Sequence, residues 1–525
     1  MEAWLLLPVA LLPIVIVLLA QRGAARAGKA KNRSRIPPGP LALPLLGSLL
    51  WLRHSSADVE PLLRRLMAQY GPVVSLRVGS RLSIFVADRR VAHAALVERG
   101  AALSDRPEVT RRLLGETGNT ISRASYGPAW RVLRRNLVSE TLHPARVRLF
   151  APARAWVRRV LADKLLRESG SGVEAAPRGV MVIEAFRYAM FCLLVLMCFG
   201  ERLDEAAVRA VGAAQRDWLL YVARKTSVFA FWPAVTKHLF RGRLKMGRAL
   251  RRRQKELFMP LIDARRERKK QINRGAGVVL PMPETTFEHS YVDTLLDIKL
   301  PEEAGRALTD DEMVSLCSEF LNAGTDTTST GLQWIMAELV KNPAIQEKLY
   351  NEIRATTGDD QEEVSEEDVH KMPYLKAVVL EGLRRHPPAH FVLPHKAAED
   401  IEVGGYLIPR GATVNFMVAE MGRDEREWEK PMEFVPERFL PGGDGEGVDV
   451  AGSREIRMMP FGVGRRICAG LGVAMLHLEY FVANLVNEFE WREVPGDEVD
   501  FTEKPEFTVV MAKPLCARLV PRSRS

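Results

Sequence analysis

The run Phe461-Gly462-Val463-Gly464-Arg465-Arg466-Ile467-Cys468-Ala469-Gly470 sets one cysteine among glycines and arginines, directly ahead of a long apolar-periodic segment. Gly464 and Gly470 permit close backbone approach and unusual dihedrals. A helix beginning just after Cys468 aims its unpaired N–H groups and positive end at the sulfur. That setting favours a thiolate, the form of cysteine that ligates metals. Arg466 adds positive charge able to hold a carboxylate. A lone thiolate in such a loop suits axial ligation of haem iron, where electron donation from sulfur favours O–O cleavage.

Four further groups could act with it. Ala323-Gly324-Thr325-Asp326-Thr327-Thr328 puts an acid and hydroxyls inside an amphipathic helix, where both are locally unfavourable. Glu381-Gly382-Leu383-Arg384 pairs opposite charges at i and i+3, and Pro436-Glu437-Arg438-Phe439 supplies a second arginine. Trp130 and Arg134 share a helix face at i and i+4, and both are donors suited to a propionate. His395, in Leu393-Pro394-His395-Lys396, can donate too, with a charge that depends on pH.

The cysteine run resembles the haem-binding loop of the cytochrome P-450 superfamily, Phe-x-x-Gly-x-Arg-x-Cys-x-Gly, with every fixed position filled. The other groups fall in the same order as that family's motifs, from the first residues to the last strand. Ser290–Asp297 and Leu316–Gly324 look most like plant A-type members, and closest to plant family 89. The resemblance implies haem b (iron protoporphyrin IX) with Cys468 as the metal ligand. Trp130, Arg134, Arg466 and His395 then contact propionates, although many members carry arginine where His395 stands. Asp326 and Thr327 deliver protons during oxygen activation. Glu381, Arg384 and Arg438 form a buried structural triad. Substrate-lining stretches are Thr110–Ser125, Ser318–Thr325 and Ala389–Leu393. These hold apolar or small residues and suggest a lipophilic or aromatic substrate.

The elements that must position these residues read as mainly α with a small β region (α+β). Thr309-Asp310-Asp311-Glu312 is a capping box, opening a helix with apolar spacing at Met313, Leu316, Phe320 and Ala323. Asn342-Pro343 ends it near Lys341. Strand signals lie at 73–78 and 83–86, again within 393–418, and near 507–511 and 517–520. Residues 91–380 are mostly helical. No parallel-sheet repeat or phosphate-binding glycine loop appears, which argues against an internal nicotinamide or flavin domain.

Residues Trp4 to Ala20 are uninterrupted apolar, and Arg22, Arg26, Lys29, Lys31, Arg33 and Arg35 follow. That order reads as a retained signal anchor with the body on the cytosolic side. The domains expected are therefore an anchor at 1–21, a basic and Pro-rich hinge at 22–40, and a single catalytic domain at 41–525. Met190–Phe199 is too short to span and reads as a buried helix. Five cysteines without Cys-x-x-Cys spacing exclude a disulfide scaffold and a zinc ribbon. Residues 241–274 are strongly basic and, without aromatic interleaving, read as a solvated face rather than a nucleic-acid surface. Within the chain's net charge of +10, the basic balance suits an acidic partner surface.

The expected function is an endoplasmic-reticulum haem-thiolate monooxygenase, single-pass, fed NADPH electrons by cytochrome P-450 reductase, using O2 to oxidise a lipophilic small molecule. A haem-thiolate enzyme that rearranges an oxygenated substrate often departs from the acid–threonine pair or the haem loop; both are kept here. A haem sensor or electron carrier would call for an output domain, and none is visible.

Overall fold

The computed structural model describes residues 35–40, 59–78, 81–107, 113–115, 118–169, 179–230, 233–273, 287–358 and 361–522. The apolar segment expected to anchor the chain lies outside the described residues, as do 274–286 and 108–112.

The helices that position the site are α1 (Pro128–Asn136), α2 (Val182–Phe199), α3 (Glu205–Lys225), α4 (Arg241–Asn273), α5 (Asp310–Lys341), α6 (Pro373–Arg385) and α7 (Leu471–Glu488). α5 is the axle. Its capping box closes at both contacts, Thr309 N–H to Glu312 Oε2 at 2.8 Å and Glu312 N–H to Thr309 Oγ1 at 3.3 Å. From there it runs through the core with buried residues on almost every face, from Met313 to Val340. α2, α6 and α7 pack around it in one hydrophobic cluster.

α2 is buried as expected, but longer than its apolar run suggests. The helix starts eight residues before Met190 and is 18 residues long, so length alone would allow it to cross a membrane. Its apolar surface instead faces protein, with 83% of the helix buried.

A four-stranded sheet flanks the helices. Its strands are β1 (Val73–Val78), β2 (Arg81–Val86), β3 (His395–Lys396) and β4 (Thr413–Phe416), in the order β1-β2-β4-β3. β1 and β2 form an antiparallel hairpin, β2 runs parallel to β4 with Ser83 opposite Thr413, and His395 sits opposite Val414. The end of the Pro-rich segment docks onto this sheet: Ser75 N–H donates to the Pro38 carbonyl at 2.8 Å and Ser75 Oγ to Pro37 at 2.7 Å. A second antiparallel sheet joins 489–493, 516–521 and 180–181.

The basic helix α4 is less of a solvated face than its composition suggests. Lys255 pairs with Asp311 at 2.8 Å, Arg266 with Asp310 at 2.9 Å, Arg265 with Asp293, and Lys269 with Asp297. These acids lie 28 to 56 residues further along the chain, so their pairing is a product of the tertiary fold.

Candidate active site

Cys468 lies between a tight loop and the start of α7. Gly462 and Gly464 take φ of +66° and +76°, and a Cβ at Gly464 would fall 2.2 Å from the Leu96 carbonyl oxygen. Side chains are excluded there by strain and space together. Gly470, by contrast, has an ordinary φ of −93°. The loop closes when Cys468 N–H donates to the Phe461 carbonyl at 2.9 Å.

Cys468 presents accessible surface, yet protein crowds its sulfur on the other sides. That burial pushes the thiol up from its ordinary value, and the Gly470 N–H and the Arg134 charge only partly pull it back. The expected thiolate is therefore not a property of the loop alone. Without a bound cation the thiol is neutral at pH 7, and metal binding has to displace its proton.

Next to this loop, three arginines converge. Arg466 donates to the carbonyls of Ser104 (2.8 Å), Ile121 (3.0 Å) and Ala124 (2.6 Å). Arg106 donates to those of Ser122, Leu393 and Pro394 at 2.7–3.0 Å. Arg134 donates to the Ile467 carbonyl at 2.6 Å. Both Arg134 and Arg466 lie over the Trp130 ring, at 5.6 and 4.3 Å. Each guanidinium thus meets neutral oxygens. Burial lowers Arg106 to about 9 and Arg466 to about 10, and Arg466 further depresses Arg106 by repulsion.

Arg106 was not singled out in the sequence. Its carbonyl partners at 393 and 394 lie 287 and 288 residues away, and no local pattern announces them. Trp130 spends its N–H on the Ile121 carbonyl at 3.0 Å. His395 is buried, and its Nδ1 lies 2.6 Å from the Leu103 carbonyl. Burial and the two nearby arginines depress His395 to about 3. It is neutral at pH 7, with Nδ1 as the donor to Leu103, which leaves Nε2 an acceptor. In this state His395 cannot donate to a carboxylate.

α5 carries an open stripe. Its neighbours are buried, yet Glu319 and Thr327 are half-buried and Ala323 is exposed, a spacing of four that places them on one face. Thr327 Oγ1 donates to the Ala323 carbonyl at 2.6 Å. Glu319 turns to the loop before α1 and accepts from Ile121 N–H and Ser122 N–H, both at 2.8 Å. Gly324 faces elsewhere: a Cβ there would meet Leu194 of α2 at 2.6 Å. Ser318 also turns away, accepting from Gln215 and Gln254. Among the third predicted lining stretch, Leu393 is 54% exposed.

Asp326 sits one residue from Thr327 but points toward α2 and α3. Its Oδ1 lies 3.1 Å from Arg216 Nη1 and 3.6 Å from Arg187 Nε. Burial raises the carboxyl above its usual range, and the two arginines oppose that rise. The structure therefore does not join Asp326 and Thr327 side chain to side chain.

The Glu381 cluster is closed and buried. Arg384 forks onto both Glu381 oxygens at 2.6 and 2.8 Å, and Arg438 Nε reaches Oε1 at 3.2 Å. Arg438 also pairs with Asp444 at 3.0 Å, a fourth member that the sequence motif does not include. Arg384 fills its remaining donors with the carbonyls of Gly422 and Pro431.

The family model for cytochrome P450 matches residues 37–518. The chain is 45% identical over 505 residues to Cytochrome P450 89A9 of Arabidopsis thaliana, covering 93% of this chain and 94% of that protein. It is 31% identical to Flavonoid 3'-monooxygenase CYP75B137 of Crocosmia x crocosmiiflora, covering 93% and 92%. Among solved structures, a retinoic-acid-bound cyanobacterial CYP120A1 superposes with a TM-score of 0.73 at 21% identity, covering 94% of this chain and all of that one. The chain belongs to the cytochrome P450 family, alongside plant family 89, and is by that membership a haem-dependent monooxygenase.

Proposed function

We propose that this protein is an anchored plant monooxygenase that inserts one oxygen atom of O2 into a lipophilic or aromatic small molecule of specialised metabolism. Its electrons come from NADPH through cytochrome P-450 reductase. Residues 1–21 anchor it in the endoplasmic reticulum membrane with the catalytic domain in the cytosol. One observation carries the reading: three arginines, Arg106 buried and Arg134 and Arg466 half-buried, hydrogen-bond only to carbonyls beside a cysteine loop. Carboxylates are stronger acceptors than carbonyls, and a molecule bearing two carboxylates and a metal that takes sulfur fits this set. Haem b is such a molecule.

In this role Cys468 would supply the sulfur that holds the haem iron. Arg106, Arg134, Arg466 and the Trp130 N–H would hold the propionates in place of their carbonyl partners, with neutral His395 packed near Arg106 and Arg466. The haem supplies the oxygen chemistry; the protein supplies orientation, charge and a dry wall. Thr327 exposes its hydroxyl lone pairs to the open stripe, where they order a water. Asp326 takes up protons on the side of α3. The relay closes through a bridging water or a turned carboxylate, since the two side chains point apart. Exposed Arg131, Arg135 and Arg465 present positive charge near the loop, suited to an acidic redox partner. The flavonoid monooxygenases among its relatives support an aromatic substrate class.

The test is incubation of full-length protein with a plant reductase, NADPH, labelled dioxygen and a plant metabolite extract. A product carrying one labelled oxygen, absent without NADPH, is expected. A product formed without NADPH and without label would overturn the reading in favour of a rearranging enzyme.

A further inference from the structure

His390 stands in the stretch 389–393 but turns its ring to acids from two distant parts of the chain. Its Nδ1 lies 2.7 Å from Glu60 Oε2, on the helix Val59–Tyr70, and its Nε2 lies 3.4 Å from Glu503 Oε1, in the strand Glu503–Pro505. The ring is buried. Other charges face the same point. Arg64 comes within 3.8 Å of Glu60 but makes its closer contact, at 2.6 Å, with Glu420. Glu503 also pairs with Arg423 and has His386 Nδ1 at 3.9 Å. His386 and Arg385 in turn meet Glu338 of α5 at 2.7 and 2.5 Å. Among the described residues, His390 is therefore the basic group nearest to Glu60. Burial pushes the His390 pKa down, but Glu503 and Glu60 outweigh it and leave the value above the ordinary 6.5.

The loop that follows His390 reaches the cysteine loop. Val392 abuts it, since a Cβ on Gly462 would lie 3.6 Å from Val392 Cγ1. Val418 N–H donates to the His390 carbonyl at 2.8 Å and Val392 N–H to the Phe416 carbonyl at 3.2 Å, which ties this end to β4. The far end, at the carbonyls of Leu393 and Pro394, is held by Arg106. Once Arg106 turns to a propionate, that far hold is given up and the His390 end carries the loop.

We propose that His390 is a positioning residue: by bridging Glu60 and Glu503 it sets where residues 391–393 stand beside the haem, and so how large an aromatic group fits there. The inference rests on the haem seating proposed above. One imidazole donates to two acids only with both nitrogens protonated. The bridge is therefore complete below pH 6.5 and is lost as pH rises through the raised value. Only a ring N–H bond breaks, and its proton goes to solvent.

The experiment titrates haem-loaded full-length protein, His390→Asn and Glu60→Gln with pyridine and with 4-phenylpyridine, followed by absorbance from pH 6.5 upward. Both probes are neutral there and bind iron through the same nitrogen, so the ratio of their dissociation constants reports room for the second ring. In the wild type that ratio should change about tenfold as His390 loses its proton. His390→Asn keeps a donor for Glu60 but no charge, and should show at every pH the ratio that the wild type reaches at high pH. Glu60→Gln removes one of the acids that hold the proton, and should move the change to lower pH by about one unit. Hydrogen exchange across 59–70 and 389–393 should rise in His390→Asn. If exchange rises there while the ratio stays at the wild-type value, the bridge is merely structural and the inference is overturned. A pH-dependent ratio that survives in His390→Asn overturns it as well. If pyridine leaves the wild-type spectrum unchanged, the haem reading fails and takes the inference with it.

Discussion

The arginine cluster around Glu381 and the one around Trp130 are built differently. Around Glu381, every charge is answered: Arg384 and Arg438 share its carboxylate, and Asp444 takes what Arg438 has left. Around Trp130, Arg106, Arg134 and Arg466 hydrogen-bond only to neutral carbonyls, and the nearby acids Asp105 and Glu319, which favour the charge on Arg106 and Arg466, accept hydrogen bonds from backbone N–H groups. Burying an ion pair costs little net once its geometry is complete, whereas an unanswered buried charge is costly. A closed cluster therefore serves the scaffold. An open one stores unfavourable electrostatics that a dianionic ligand relieves.

That contrast can be broken experimentally, beginning with the largest effect. Glu381→Gln strands Arg384, whose surroundings exclude water, and leaves Arg438 only Asp444; it should cost about 3–5 kcal/mol of folding stability, read as a lower denaturant midpoint or insoluble protein. A loss under about 1 kcal/mol would mean that the network is not closed as described.

Thr327→Ala removes the hydroxyl on the open stripe without touching either cluster. Product formation should fall on the order of 10²-fold while NADPH consumption continues, measured as product per NADPH. Parallel loss of both would assign Thr327 to binding or folding instead.

Arg106→Met and Arg466→Met address the open cluster. Each should weaken haem binding about 10–100-fold, the worth of one charge-assisted hydrogen bond. The haem-free protein should lose little stability, because removing either arginine relieves the repulsion between them. Titration of haem into apoprotein and apoprotein melting give the two numbers. A large loss of apoprotein stability would erase the difference between the clusters.

The smallest effect concerns His395. Its folded pKa of about 3 lies below the unfolded value of 6.5. Between those values the unfolded chain binds the extra proton, so this residue's contribution to stability falls as pH drops from 6.5 toward 3. Above pH 6.5 both states are neutral and nothing changes. His395→Asn should flatten the pH dependence of the urea midpoint between pH 4 and 6.5. An unchanged slope would mean that His395 is protonated in the folded state.

Local chemistry made part of this legible in sequence. The capping box at Thr309–Glu312 and the positive-φ glycine before Cys468 are decided within a few residues, and both stand where their patterns place them. Cys468, Asp326 and the Glu381–Arg384 pair are likewise visible as residue types at fixed spacing. Arg106 is not, because its partners at 393 and 394 are brought in by the fold; Asp444 lies only six residues from Arg438, but no motif marks the turn that joins them. Nor is the direction in which Asp326 points, since Arg187 and Arg216 come from two other helices. Cys468 shows the same division: helix ends and arginines are visible in sequence, while the burial that raises its thiol is tertiary. Electrostatic outcomes depend on desolvation, and desolvation has no sequence motif.

The most direct test of a thiolate haem held by the Cys468 loop is the carbon monoxide difference spectrum of reduced, haem-loaded full-length protein, taken beside Cys468→Ser. The wild type should show the red-shifted Soret band of a thiolate-ligated haem, and the variant should lose it while still binding haem through Arg106, Arg134 and Arg466. A wild-type spectrum without that band, or a variant that keeps it, would contradict Cys468 as the ligand.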